Sequence, residues 1–172
     1  MAKKRGVLVI LASALLATLS LVPVAGTAQA VTLKQEKVWA TNQCLDNAAE
    51  DAHRMQVWTC NGGTTQAWEE IFDPAAGTFS FKNARSKMCL AVTGFNLVVE
   101  GQTCTGSSSQ KWTVFFADNP LGPPTGWYDV WKNVLTGLCL FVPNPNLPNG
   151  TGIETTDCNA GTAAQRWHTA DR

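Results

Sequence analysis

Cys44-Leu45-Asp46, then Trp58-Thr59-Cys60, then Gln66-Ala67-Trp68 is a pattern that the 172-residue chain writes three times. The second copy reads Cys89-Leu90-Ala91, Gln102-Thr103-Cys104 and Gln110-Lys111-Trp112. The third reads Cys139-Leu140-Phe141, Thr156-Asp157-Cys158 and Gln165-Arg166-Trp167. Successive first cysteines stand 45 and 50 residues apart, and the tryptophan follows the second cysteine by 8, 8 and 9 residues. A fixed order at a fixed period marks one supersecondary unit used repeatedly, each copy burying its apolar face against its neighbours.

The six cysteines allow fifteen pairings, and composition alone selects none of them. The repeat does select one set: Cys44 with Cys60, Cys89 with Cys104, and Cys139 with Cys158. A zinc site is the rival use of cysteine, but the chain has no C-x-x-C and its two histidines are isolated. Within the repeats, Thr78-Phe79-Ser80-Phe81-Lys82 and Trp127-Tyr128-Asp129-Val130-Trp131 have the aromatic character of strands. Asn61-Gly62-Gly63, Asp73-Pro74 and Asn149-Gly150 punctuate them as turns. Residues 119–126, with Pro120, Pro123 and Pro124, read as an inserted loop that lengthens the third step. No stretch after residue 30 sustains a helical apolar period. The expectation is an all-β protein, three units of about four short strands closing a barrel-like body without free edges.

Outside the repeats, the chain begins with Lys3, Lys4 and Arg5, an apolar run from Val7 to Val22, the breakers Pro23 and Gly26, and Ala28-Gln29-Ala30. A basic start, an apolar middle and an A-x-A exit predict a secretory signal peptide over residues 1–30, with 31–172 as a single secreted domain. Three of the thirteen bases precede Val31 and all thirteen acids follow it, which leaves residues 31–172 with ten bases against thirteen acids, net −3. With no basic stripe and no second apolar span, the composition disfavours binding to nucleic acid and insertion into a membrane.

C-L-D, an aromatic two residues before the second cysteine, and Q-x-W together resemble the repeat of ricin-type (ricin B chain-like) lectin domains, carbohydrate-binding module family 13. The resemblance runs from about Val38 to Ala170. It implies a β-trefoil of three repeats with intra-repeat disulfides, and it implies carbohydrate binding (a galactoside, xylan or cell-surface glycan) without a cofactor.

A sugar site needs a flat aromatic face for the apolar side of the ring and a charged acceptor for neighbouring hydroxyls. Aromatic contact adds roughly 0.5–1.5 kcal/mol beyond area burial, and a hydrogen bond to a charged group about 1.5–3 kcal/mol. The family pattern puts the acceptor on Asp46 and the stacking ring on Trp58, with Gln56 as a further contact. It makes Gln66 a support that orients the Asp, and it puts Thr65 where the family usually has a hydroxyl-binding Asn. The loop 47–55 also lacks the glycine often found there. In the second and third repeats, Ala91 and Phe141 replace the acid, and Gln102 and Thr156 replace the aromatic, so only the first repeat carries the constellation. Because Gln102 and Thr156 are polar, Trp58 is expected at the surface, while Trp68, Trp112 and Trp167 belong to the core.

Other uses of these residues can be weighed from sequence. Asp46 could cap a turn through its own backbone. Asp46, Glu50 and Asp51 do not have the spacing of an EF-hand loop. His53 and His168 lack a nucleophile pattern, and Asn149-Gly150-Thr151 is a glycosylation sequon that matters only in a eukaryotic secretory pathway. A glycosidase would need two carboxylates roughly 5–10 Å apart, but a chain of this size is nearly all trefoil, so the expectation is a monomeric binding protein and no enzyme. The alternative is a sugar-blind trefoil acting through protein contact, as an inhibitor or a toxin-complex subunit.

Overall fold

Aromatic and β-branched residues favour the pleated, half-buried surface of a sheet, and the turn residues between them decide where each strand stops. The computed structural model describes residues 31–94, 97–118, 127–143 and 148–171, within one compact unit spanning Val31–Arg172. The first repeat supplies β1 (Leu33–Val38), β2 (Gln43–Asn47), β3 (Met55–Thr59) and β4 (Trp68–Asp73). The second supplies β5 (Thr78–Asn83), β6 (Cys89–Thr93), β7 (Val98–Gln102) and β8 (Trp112–Asp118). The third supplies β9 (Tyr128–Asn133), β10 (Cys139–Phe141), β11 (Thr151–Gly152), β12 (Glu154–Thr156) and β13 (Trp167–Asp171). The two aromatic runs read as strands fall in β5 and β9, with Trp127 just ahead of β9. The segments 1–30 and 119–126 lie outside the described residues.

Six of these strands close a ring. β1 pairs with β4, β4 with β5, β5 with β8, β8 with β9, β9 with β13 and β13 with β1, all antiparallel. The hairpins β2–β3, β6–β7 and β10–β12 join it through β1, β5 and β9. They touch one another through β7–β12 and β3–β11. A closed six-stranded barrel with one hairpin per repeat is a β-trefoil, as the ricin-type resemblance implies.

The motif residues form the joints. Trp68, Trp112 and Trp167 are fully buried, and each indole N–H donates to the backbone oxygen of the leucine after a first cysteine: Leu45 at 3.1 Å, Leu90 at 3.2 Å and Leu140 at 3.4 Å. An unpartnered buried donor would cost about 1–3 kcal/mol, so this bond is what lets so large a polar-tipped ring fill the core. Around them pack Leu45, Val57, Leu90, Val99, Leu140 and Ile153 from the hairpins. The disulfides are the three expected pairs, with Cα–Cα distances of 5.1, 5.1 and 5.0 Å and sequence separations of 16, 15 and 19. Loops of that size give roughly 3 kcal/mol each in the chain-entropy model.

The barrel interior is not wholly apolar. Glu36 on β1 is 1% exposed, its carboxylate accepting from Thr169 Oγ1 at 2.9 and 3.1 Å and from Trp131 Nε1 at 3.4 Å. Burial pushes the Glu36 carboxyl well above the usual range, and the hydrogen bond and charge of Glu70 push it further, outweighing the opposing pull of Thr169. On β9, Asp129 is pushed up to about 6, first by burial and then by the charge of Glu70, with His168 acting against both.

Candidate functional site

Strand β2 runs antiparallel to β3 with Asp46 opposite Gln56 and Cys44 opposite Trp58. Directly opposed residues share a face, and alternate residues of one strand do too. Asp46, Gln56 and Trp58 are thereby brought together by register alone. Gln56 Nε2 donates to Asp46 Oδ1 at 2.9 Å, which fixes the carboxylate and settles which end of the amide faces it. Both residues are buried, at 4% and 2% exposure, whereas Trp58 is 38% exposed. Among the described residues no protein donor reaches the other carboxylate oxygen of Asp46, and Gln56 Oε1 is buried without a partner. An oriented acid, an unsatisfied amide oxygen and an exposed indole face border one pocket of about 170 Å³, together with Thr65, Asn61, Ala49 and Glu50.

The pocket floor comes from the hairpin and its rim from two loops. Thr65 lies in the 3-10 turn Thr64–Gln66, and Asn61 caps its own loop by accepting the Gly63 N–H at 2.7 Å. Ala49 and Glu50 lie between β2 and β3. With Asp46 and Glu50 both present, the pocket carries acid. Its nearest counter-charge, Arg54, stands 4.0 Å from Glu50 with both side chains largely in solvent, so it offsets little of that charge. In the sequence Asn61 reads as turn punctuation and Glu50 as one of three acids without EF-hand spacing. Their approach to Asp46 depends on loop closure, which no local pattern encodes.

Gln66 stands apart from this group. Its Nε2 donates to Thr59 O at 3.0 Å and its Oε1 accepts from the Asn61 N–H at 2.9 Å, so it holds the backbone behind the site and does not orient Asp46. Gln110 makes the same pair of bonds to Thr103 and Thr105, and Gln165 to Asp157 and Asn159. The glutamine of Q-x-W is therefore a repeated structural staple, and Gln56 is the residue that touches the acid. Nor does Asp46 cap a turn, since its bonded oxygen faces the side chain of Gln56.

The other two hairpins offer Ala91 opposite Glu100 and Phe141 opposite Glu154 in the register where Asp46 faces Gln56. Gln102 and Thr156 occupy the place of Trp58, opposite Cys89 and Cys139. His53 and His168 each bond a backbone oxygen, Gly101 O and Trp127 O, both at 2.8 Å. Among the described residues no three His, Cys, Asp or Glu side chains group as metal ligands.

A family model for the ricin-type β-trefoil lectin domain matches residues 29–120, more than half of the chain. The chain belongs to that family. The match takes in the first two repeats, and the third, with the same disulfide, Gln165 and Trp167, completes the trefoil of this ricin-type domain. No curated protein matches the sequence. Among solved structures, a mosquitocidal holotoxin superposes with a TM-score of 0.70 at 17% identity, over 84% of this chain and 18% of the toxin. A ricin B-like lectin of Macrolepiota procera, solved in complex with lactose, gives 0.65 at 12% identity, over 83% and 96% of the two chains. A cytolethal distending toxin from Actinobacillus actinomycetemcomitans gives 0.63 at 19% identity, over 80% and 90%. This chain thus spans less than a fifth of the holotoxin it resembles.

Proposed function

We propose that this ricin-type domain is a secreted, monomeric carbohydrate-binding protein, exported by a signal peptide over residues 1–30, with one sugar site in its first repeat. The observation that carries the reading is the hydrogen-bonded pair Asp46–Gln56 beside the exposed ring of Trp58 in a single pocket. In this reading a sugar stacks its apolar face on Trp58. Two neighbouring hydroxyls donate to the unoccupied oxygen of Asp46 and to Gln56 Oε1, with Thr65 and Asn61 at the rim. The second carboxylate, Glu50, disfavours anionic sugars, so the ligand is a neutral galactose- or xylan-type glycan. Enzymatic activity is not part of the proposal.

A glycan array with the purified domain tests it. Specific neutral hits are expected, and they should vanish in Asp46→Asn and Trp58→Ala while the melting temperature stays within about 2 °C of wild type. A Trp58→Ala protein that still bound its best glycan unchanged would remove the first-repeat site. One feature favours the second reading, contact with a protein: Phe72, Phe115, Phe116 and Trp127 are 53, 46, 39 and 56% exposed, and exposed apolar surface often marks an interface. An array without hits, together with capture of a defined secreted partner, would favour it.

A further inference from the structure

Resting on the sugar-site reading, we propose that the third-repeat turn Pro148–Thr151 is a positioning element of the first-repeat site, with Asn149 as its key residue. The turn lies against β3, the strand that carries Gln56 and Trp58. Asn149 Oδ1 accepts from Thr59 N at 2.8 Å and from Thr59 Oγ1 at 3.0 Å. The Gly150 N–H donates to Val57 O at 2.9 Å, and Arg54 Nη2 donates to Gly150 O at 2.6 Å. Strand β11 then continues along β3, Thr151 opposite Val57 and Gly152 opposite Gln56. The backbone on both sides of Trp58 is therefore fixed from a segment some ninety residues later in the chain.

Gly150 shows how close the approach is. Its φ is +91°, and a Cβ placed there would meet Arg54 Nη2 at 3.2 Å, Gln56 Oε1 at 3.7 Å and Trp58 Cζ3 at 3.9 Å. The turn thus backs both the indole and the amide that border the pocket. A side chain at 150 would be strained by φ and would push on the Arg54 guanidinium. Trp58 is 38% exposed, so the core does not clamp its ring, and its backbone mount contributes to its orientation. A stacking ring gains from geometry as well as area, so releasing the mount weakens sugar binding without removing a contact atom.

The test compares Asn149→Ala with Asn149→Asp, which keeps an acceptor oxygen for Thr59. Calorimetry with the best glycan from the array should show about a two- to tenfold weaker Kd for Asn149→Ala and near wild-type binding for Asn149→Asp. The Trp58 indole N–H resonance, assigned by its loss in Trp58→Phe, should shift in sugar-free Asn149→Ala and return in Asn149→Asp. Should Asn149→Ala lower the melting temperature, Thr59→Val removes only the hydroxyl bond and is expected to shift the resonance in the same direction. Wild-type affinity with an unmoved indole resonance in both Asn149→Ala and Thr59→Val would overturn the inference and leave the sugar reading standing. A wild-type protein that binds no glycan would sink the sugar reading, and the sugar-free resonance would still decide whether Asn149 positions the ring.

Discussion

At the scale of the residue, two glutamines ten positions apart do different work, and the difference is measurable. Gln56 donates to Asp46 at the pocket. Gln66 is fully buried and holds Thr59 O and the Asn61 N–H. Removing Gln56 Nε2 leaves the Asp46 carboxylate without its anchor, so Gln56→Leu is expected to weaken glycan binding by about tenfold or more. Removing the Gln66 amide leaves the part-buried Thr59 carbonyl and Asn61 N–H without that partner, so Gln66→Leu should destabilise the fold by about 1–3 kcal/mol. Chemical denaturation and calorimetry on the two variants separate these effects. Equal loss of stability in both would show that Gln56 is also a staple. The family resemblance pointed to Gln66 as the support of Asp46, although it lies further along the chain from the acid than Gln56 does. Hydrogen bonds follow strand register instead, and register puts Gln56 opposite Asp46.

At the scale of the element, the three-fold joints carry the fold, and the first hairpin with the loops beside it carries the candidate site. Trp112→Ala empties the core of a fully buried ring and leaves Leu90 O without its donor, for which a loss of about 3–5 kcal/mol is expected in denaturant unfolding. The folded Trp112→Ala fraction should bind glycan normally, because the ring lies in the second repeat. Replacing Cys139 and Cys158 together by serine should cost roughly 3 kcal/mol through the reopened loop. These joints were legible in sequence because cysteine, leucine and Q-x-W recur in register, and a recurring position reports a recurring environment. The hairpin face with Asp46, Gln56 and Trp58, and Thr65 in the turn beside it, were legible from the motif as well. Ala49, Glu50 and Asn61 were not, since irregular loops have no period to read. Strand β11, with two residues, is too short to leave any alternation, and so its seat beside Gln56 and Trp58 was invisible.

At the scale of the whole molecule, the buried acids set the pH response and the count of competent repeats sets the binding behaviour. Glu36 and Asp129 have carboxyl groups raised in the folded protein, Asp129 to about 6 from an ordinary 3.8. A raised acid binds its proton more tightly when folded, so its contribution is full below the unfolded pKa and is lost as pH rises through the folded one. The groups facing Glu36 are Glu70, Asp129, Thr169 and Trp131. Melting temperature should therefore fall between about pH 4.5 and pH 7.5. Glu36→Gln keeps the size and the acceptor oxygen, and it should flatten that fall and stabilise the fold by about 1–2 kcal/mol at pH 7.5. A steeper fall in Glu36→Gln would mean that the buried acid is stabilising when charged. Binding follows from the hairpins in the same additive way. Among the described residues only the first presents an acid, an amide and an exposed ring together, while Ala91 and Phe141 stand where Asp46 would be. One shallow pocket with one plate and one amide-anchored carboxylate should hold a monosaccharide weakly, at a Kd on the order of 1 mM or about −4 kcal/mol. Tight attachment to cells needs several linked sites, whose effective concentration multiplies modest affinities. A chain with one site cannot bridge two surfaces, so the purified domain should bind 1:1 in calorimetry, run as a monomer in light scattering and fail to agglutinate cells. Two or three sugars per chain would mean that the hairpins carrying Ala91 and Phe141 bind by a different set of contacts, and the single-site account of this molecule would fall.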